Sequence, residues 1–188
     1  MAFLEKMGKT RYGDQFRLHQ EEKSVISKLR MYAIRDEENC QKHKIDPDKG
    51  ILLTGPVGCG KTTLMNLIKY FMPAEHGHVI KPAREVAFEF NIHGHQIIQR
   101  HATPKTTFCY DDLGVEPIMK HYGNDCNVMA EILLSRYDLF ISHKTKTHAT
   151  TNLNASELEK LYGNRVRSRM RELFNLIAFD RDAKDKRK

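Results

Sequence analysis

Gly55, Pro56, Val57, Gly58, Cys59, Gly60, Lys61 and Thr62 fit the pattern G-x-x-x-x-G-K-[ST] at every fixed position, the pattern of a loop that wraps phosphate with backbone N–H groups. Its chemistry is anion capture. The three glycines admit backbone angles and close approaches that a Cβ obstructs. Lys61 brings a point charge to the β- and γ-phosphates of a nucleoside triphosphate such as ATP, and the Thr62 hydroxyl is a ligand for Mg²⁺; Thr63 continues the same site. Downstream, Thr107-Phe108-Cys109-Tyr110-Asp111-Asp112 is an apolar run ending in two carboxylates. Asp111 suits Mg²⁺, usually through water, and Asp112 suits orienting or deprotonating a water that attacks the γ-phosphate. Asn152, after Thr147-His148-Ala149-Thr150-Thr151, offers an amide to that water or to the γ-phosphate, or is a polar turn residue.

These residues need elements to position them. Ile51 to Thr54 is a short apolar run that predicts a buried strand, and Leu64, Leu67, Ile68 and Phe71 predict a helix over Thr63 to Phe71. Strand, glycine loop and helix in succession aim several N–H groups and a helix N-terminus at one point. Further strands are expected at 78–80, 106–110, 147–151 and 176–179. Helices are expected over 21–43, over 82–100 with an interruption near Gly94, and over 127–140. Asn154 with Glu157 reads as a helix start and Gly163 as its stop. The helix that follows, 164–174, carries Arg165, Arg167, Arg169 and Arg171, with Val166, Met170 and Leu173 turned inward. Residues 1–20 lack strong periodicity and read as a loosely ordered arm. The alternation argues an α/β fold with a mainly parallel sheet covered on both faces. In such a sheet ligands bind beyond the carboxyl ends of the strands, where the loop and the acidic pair both lie.

The chain has 188 residues, 40% hydrophobic and 29% charged, with no apolar stretch long enough for a membrane span. Cys40, Cys59, Cys109 and Cys126 are scattered, which argues against a disulfide framework and for a reducing cytoplasm. The net charge of +7 is compatible with a polyanionic partner without requiring one, since a nucleotide site also needs positive charge. The run Arg181 to Lys188 reads as a solvated basic tail. His76-x-His78 and His93-x-His95 are spaced like metal ligands, but no cysteine or carboxylate set completes a shell, so exposed loop and helix histidines are expected.

The ordered set resembles the AAA+ ATPases of the DnaC-type helicase-loader family and its relative, the IstB-type transposition ATPase. The resemblance rests on the phosphate loop, Asp111-Asp112-Leu113-Gly114, Thr150-Thr151-Asn152-Leu153 and Tyr162-Gly163-Asn164-Arg165-Val166-Arg167-Ser168-Arg169-Met170. It implies a five-stranded sheet of order 5-1-4-3-2, with an ATPase domain over 45–180, an arm and helix over 1–44 and the tail over 181–188. It also implies assembly into an ATP-dependent oligomer, with Asn152 as the sensor residue and Arg169, or alternatively Arg165, as an arginine acting on a neighbour's nucleotide. A replicative helicase or transposase, and single-stranded DNA, are the partners it suggests. The chain departs from the family in having Asp112 where Glu is more usual, and in leaving no room for a helical lid domain after the last strand.

An ATPase serving DNA replication or mobile-element machinery, weak unless assembled, is the reading favoured. A P-loop kinase of a nucleotide or small metabolite fits the length and the first motif, although no lid insertion is visible and Asp112 beside Asp111 suits water activation better. A nucleotide-dependent binding module with negligible turnover is the third possibility.

Overall fold

The computed structural model describes residues 1–73, 76–121 and 124–186. In chain order the elements begin α1 (Ala2–Tyr12), α2 (Lys23–Ala33), α3 (Glu37–Lys42), β1 (Gly50–Thr54) and α4 (Lys61–Ile68). There follow β2 (Val79–Pro82), α5 (Ala83–His93), α6 (Gln96–His101), β3 (Phe108–Leu113), β4 (Met119–His121) and β5 (Asn124–Cys126). The last four are α7 (Val128–His143), β6 (Thr147–Thr151), α8 (Ala155–Leu173) and β7 (Phe174–Ala178). The chain divides into two compact units, one of Met1–Pro47, Gly55–Gly77 and Ile177–Lys188, the other of Asp48–Thr54 and His78–Leu176.

A five-stranded parallel sheet runs in the order β2-β3-β6-β1-β7. Counted in chain order among the sheet's own strands, this is the expected 5-1-4-3-2. The registers Leu53↔Thr150 and Tyr110↔Ala149 bring the carboxyl ends of β1, β3 and β6 level with one another. Ile51, Leu52 and Leu53 of β1 are buried, as a strand covered on both faces must be. β6 is buried along its whole length although four of its five residues are polar. Each of these finds a partner, which is what burial of a polar group requires. Thr147 Oγ1 accepts from Arg136 Nε at 2.8 Å, and His148 Nδ1 accepts from the Ile51 N–H at 3.1 Å. Thr150 bonds Asp111 at 2.6 Å, and Thr151 donates to the Leu113 carbonyl at 2.7 Å.

The core of this second unit joins Phe90 of α5, Ile97 of α6, Val128, Met129, Ile132 and Leu133 of α7, and Val166, Met170 and Leu173 of α8 to Phe108, Tyr110 and Leu113 of β3. Arg136 of α7 is fully buried among them. Besides Thr147, its guanidinium donates to the carbonyls of His101 (3.3 Å), Thr103 (3.1 Å), Thr106 (3.0 Å) and Lys146 (2.7 Å). One side chain thereby fixes the segment entering β3 and the segment entering β6. In the first unit, Leu4 of α1, Val25, Ile26 and Leu29 of α2, and Leu64, Leu67 and Ile68 of α4 are buried.

Three expectations are corrected, and one strand pair is added to them. Residues 1–20 are not a loose arm: α1 buries Leu4, and Phe3 packs on Phe71 with ring centres 5.4 Å apart. The single helix over 21–43 is a 3-10 turn (Gln20–Glu22) followed by α2 and α3. Arg35 adopts a φ of 53° between the two, and Asp36 caps α3 by accepting from Asn39 N at 3.2 Å. A capping carboxylate outcompetes continuation of the helix. The hairpin of β4 and β5 had no periodic signal. His78 is buried rather than exposed, its ring 4.9 Å from that of His148. Residues 74 and 75, and Arg187 and Lys188 of the basic tail, lie outside the described residues.

Candidate nucleotide-binding site

The loop belongs to the first unit. Gly58 and Gly60 have φ of 78° and 98°, a left-handed pair ahead of a helix that forms the backbone signature of an anion nest. Gly60 is the N-cap of α4 and has no side chain to consume the first-turn N–H groups. Lys61 is buried, its Nζ donating to the carbonyls of Gly55 at 2.9 Å and Pro56 at 2.8 Å. The lysine is thus folded along the loop it serves. Cys59 is fully buried beneath the loop, and burial pushes its thiol pKa up against the pull of Lys61. It acts there as a small apolar residue. Thr62 and Thr63 lie on the first turn of α4, partly buried, and Val57 stands out from the loop.

The acidic pair belongs to the second unit. The β3–β6 register slips between Tyr110 and Leu113, so Asp111 and Asp112 form a bulge at the end of β3. Asp112 has a φ of 55°, a strained conformation for a residue with a Cβ and one that clusters at functional sites. Thr150 holds the bulge: its hydroxyl donates to Asp111 Oδ1 at 2.6 Å and accepts from the Asp112 N–H at 2.8 Å. Asn152 follows β6 on a turn where Thr151 Oγ1 accepts from the Leu153 N–H at 3.0 Å. Asp111, Asp112 and Asn152 are all half-buried at the carboxyl end of the sheet.

The residues past β3 are tied to α8. The Gly114 N–H donates to Glu116 Oε2 at 2.8 Å, and the Tyr162 hydroxyl donates to Glu116 Oε1. Glu116 and Tyr162 are both buried, and burial is the main cause raising the pKa of each. Asn154 caps α8 with Glu157 in the expected reciprocal arrangement. The stop expected at Gly163 is a break inside α8, with φ 81° and ψ 162°, after which the helix resumes. On the resumed half Val166, Met170 and Leu173 are buried as expected. The guanidinium of Arg169 lies 5.1 Å from the centre of the Tyr137 ring, whose hydroxyl donates to Glu172 at 3.0 Å. Arg165 is exposed.

Sequence reasoning missed Thr150, Arg136, Glu116 and Tyr162. Thr150 alone carried a usable signal, a hydroxyl one register step from the acidic pair once β3 and β6 are known to be neighbours. Among the described residues no group of three or more metal-ligating side chains forms around the histidine pairs.

A family model described as ABC transporter matches residues 40–173. Among curated proteins, 61 residues are 31% identical to a proteasome-associated ATPase of Streptomyces scabiei (strain 87.22), covering 32% of this chain and 10% of that protein. The chain therefore spans about a tenth of the length of that relative. Among solved structures, a crystal structure of the DnaC helicase loader is similar with a TM-score of 0.63 at 17% identity, covering 89% of this chain and 95% of that one. A crystal structure of DnaI gives 0.56 at 24% identity, covering 81% and 85%. AMPPCP-bound DnaA from Aquifex aeolicus gives 0.56 at 15% identity, covering 88% and 48%. The chain shares its fold with these three structures. No helix among the described residues is long and apolar enough to cross a membrane.

Proposed function

We propose, on the premise that the chain belongs to the P-loop ATPase family matched under the description ABC transporter, that it hydrolyses ATP to ADP and phosphate as an AAA+ module of DNA replication or mobile-element machinery. The matched span contains the phosphate loop and the strand ends, and the proposal takes from that family the ATPase and not a transport task. The observation that carries it is the phosphate loop itself, with Gly58 and Gly60 at φ 78° and 98° and Lys61 buried along it.

The donor set fits the implied cofactor, since a threonine hydroxyl and a carboxylate are the hard oxygen ligands that Mg²⁺ selects. ATP with Mg²⁺ supplies an electrophilic γ-phosphate whose charge must be neutralised in the transition state. The residues Gly55 to Thr63 bind and orient the phosphates, Lys61 facing the β- and γ-oxygens. Thr62 and Asp111 hold the metal ion, Asp111 through water. Asp112 orients the attacking water and takes its proton, and Asn152 contacts that water or the γ-phosphate. An arginine of a neighbouring copy, Arg169 or Arg165, completes the site, so the chain acts as an ATP-dependent oligomer and turns over slowly when dispersed. Its other partners are a replicative helicase or transposase, with single-stranded DNA attracted by the net charge of +7. All four cysteines are free thiols, which supports a reducing cytoplasm.

The test is product analysis of purified protein with ATP and Mg²⁺. Free phosphate released without any added acceptor supports an ATPase. Phosphate found only on an added nucleotide or metabolite supports the kinase reading instead. Recovery of a helicase or transposase with the tagged chain, dependent on a non-hydrolysable ATP analogue, tests the cellular task.

A further inference from the structure

Each of the three glycines of the phosphate loop is met by a different group of the same compact unit. Gly55 lies against Phe179, where an added Cβ would stand 2.7 Å from the phenylalanine Cβ. Gly58 lies against the Asp185 carboxylate, which a Cβ there would overlap. The carbonyl of Gly58 also accepts from the Lys186 backbone N–H at 3.1 Å. Gly60 faces Glu22, whose Oε1 would be 3.4 Å from a Cβ. Lys186 joins these groups, its Nζ 2.6 Å from Glu22 Oε1, 3.7 Å from Glu21 Oε1 and 6.0 Å from the centre of the Phe179 ring. Glu22 is buried and anchored, its Oε2 accepting from the His19 N–H at 2.7 Å.

Two carboxylates therefore approach a backbone shaped to hold an anion. We propose that the segment from Phe179 to Lys186 is an autoinhibitory strap in which Asp185 occupies the approach to the phosphate loop at Gly58 and the Lys186–Glu22 ion pair is the latch. The proposal rests on the reading of this loop as a nucleotide site. A triphosphate entering the loop repels the Asp185 carboxylate, and the Lys186 hydrogen bond to Gly58 is lost as the strap leaves. The Lys186 hydrogen bond to Gly58 and its ion pairs with Glu22 and Glu21 are among the ties that hold the strap, and the charge of an entering triphosphate must displace them.

Two measurements on the full chain test this. The first is affinity for a fluorescent ATP analogue with Mg²⁺, compared among wild type, Asp185→Asn and Lys61→Ala. Asp185→Asn keeps the shape and removes the charge, so binding tightens roughly threefold to tenfold, the effect of a solvent-screened like charge. The second is hydrogen exchange of residues 180–186, which speeds up when the nucleotide binds. Unchanged or weaker binding by Asp185→Asn, or slower exchange in the strap on binding, overturns the proposal and makes the segment part of the closed site. If wild type and Asp185→Asn both bind no better than Lys61→Ala, the nucleotide reading itself fails.

Discussion

The hydroxyl of Thr150 stands 2.6 Å from Asp111 Oδ1 and 2.8 Å from the backbone N of Asp112. One side chain on β6 thus orients the proposed metal ligand and pins the bulge that aims the proposed base. Thr150→Val keeps the branched shape and removes both bonds. Hydrolysis should fall at least tenfold, an order-of-magnitude figure for losing a group that orients a metal ligand, with a higher Mg²⁺ requirement. Thr150→Ser should restore most of the rate, whereas a serine variant as slow as the valine one would mean that the methyl group, not the hydroxyl, matters.

Arg136 sets the strands that carry this pair. Its five hydrogen bonds reach residues on both sides of the sheet entry, and a methionine there would leave buried carbonyls unsatisfied. Arg136→Met should destabilise the protein by on the order of 3–5 kcal/mol, read as a lower midpoint in urea. Arg136→Lys should recover little, because an ammonium cannot reproduce the fork. A loss below about 1 kcal/mol would show that water replaces the guanidinium.

Local features of the sequence were sufficient for the phosphate loop, β1, α7, β6 and the Asn154–Glu157 cap, because glycine spacing, apolar runs and capping chemistry act over a few residues. The order of the sheet was legible only through the resemblance. Thr150 looked like one polar residue among several, and its role exists only once the β3–β6 register and the bulge are formed. Nothing near Arg136 in the chain announces acceptors 30 residues or more away. Periodicity misled at Arg35, since apolar spacing continues across the break made by Asp36. Asp185 and Lys186 had the composition of a solvated tail, and only packing against Gly58 distinguishes them from one.

Buried histidines should make stability depend on acid. Burial, with Lys81 and Arg136 nearby, pushes the His101 pKa down to about 4, and burial with His78, Lys146 and Arg136 lowers that of His148. His101 also shares a hydrogen bond with Tyr110 at 3.0 Å. A base with a depressed folded pKa is protonated first in the unfolded chain. Its neutral form therefore stabilises the fold fully above the ordinary value of 6.5, and this is lost as pH falls toward 4. His101 contributes a slope of up to about 1.4 kcal/mol per pH unit in that window, and His148 acts in the same direction. Urea midpoints flat between pH 7 and pH 5 would contradict this, and His101→Gln should flatten the curve in part.

If Arg169 acts on a neighbour's nucleotide, it must exchange its Tyr137 ring for that γ-phosphate. Arg169→Ala should bind ATP nearly normally and hydrolyse it roughly 10³-fold more slowly even when assembled. Mixing it with Lys61→Ala should return activity, since a mixed interface can pair an intact loop with an intact arginine. A mixture that recovers nothing would point to the exposed Arg165, to be tested in the same way, or to a packing role for Arg169.

Binding and hydrolysis part company most clearly at Asp112. The most direct measurement is the single-turnover rate of phosphate release from ATP, with nucleotide affinity measured alongside, for wild type and Asp112→Asn. The asparagine fills the same space and cannot accept the proton, so affinity should hold while the rate falls about 10²-fold or more. Phosphate release by Asp112→Asn at the wild-type rate, or none from the wild type above the Lys61→Ala background in any state of assembly, would contradict the account.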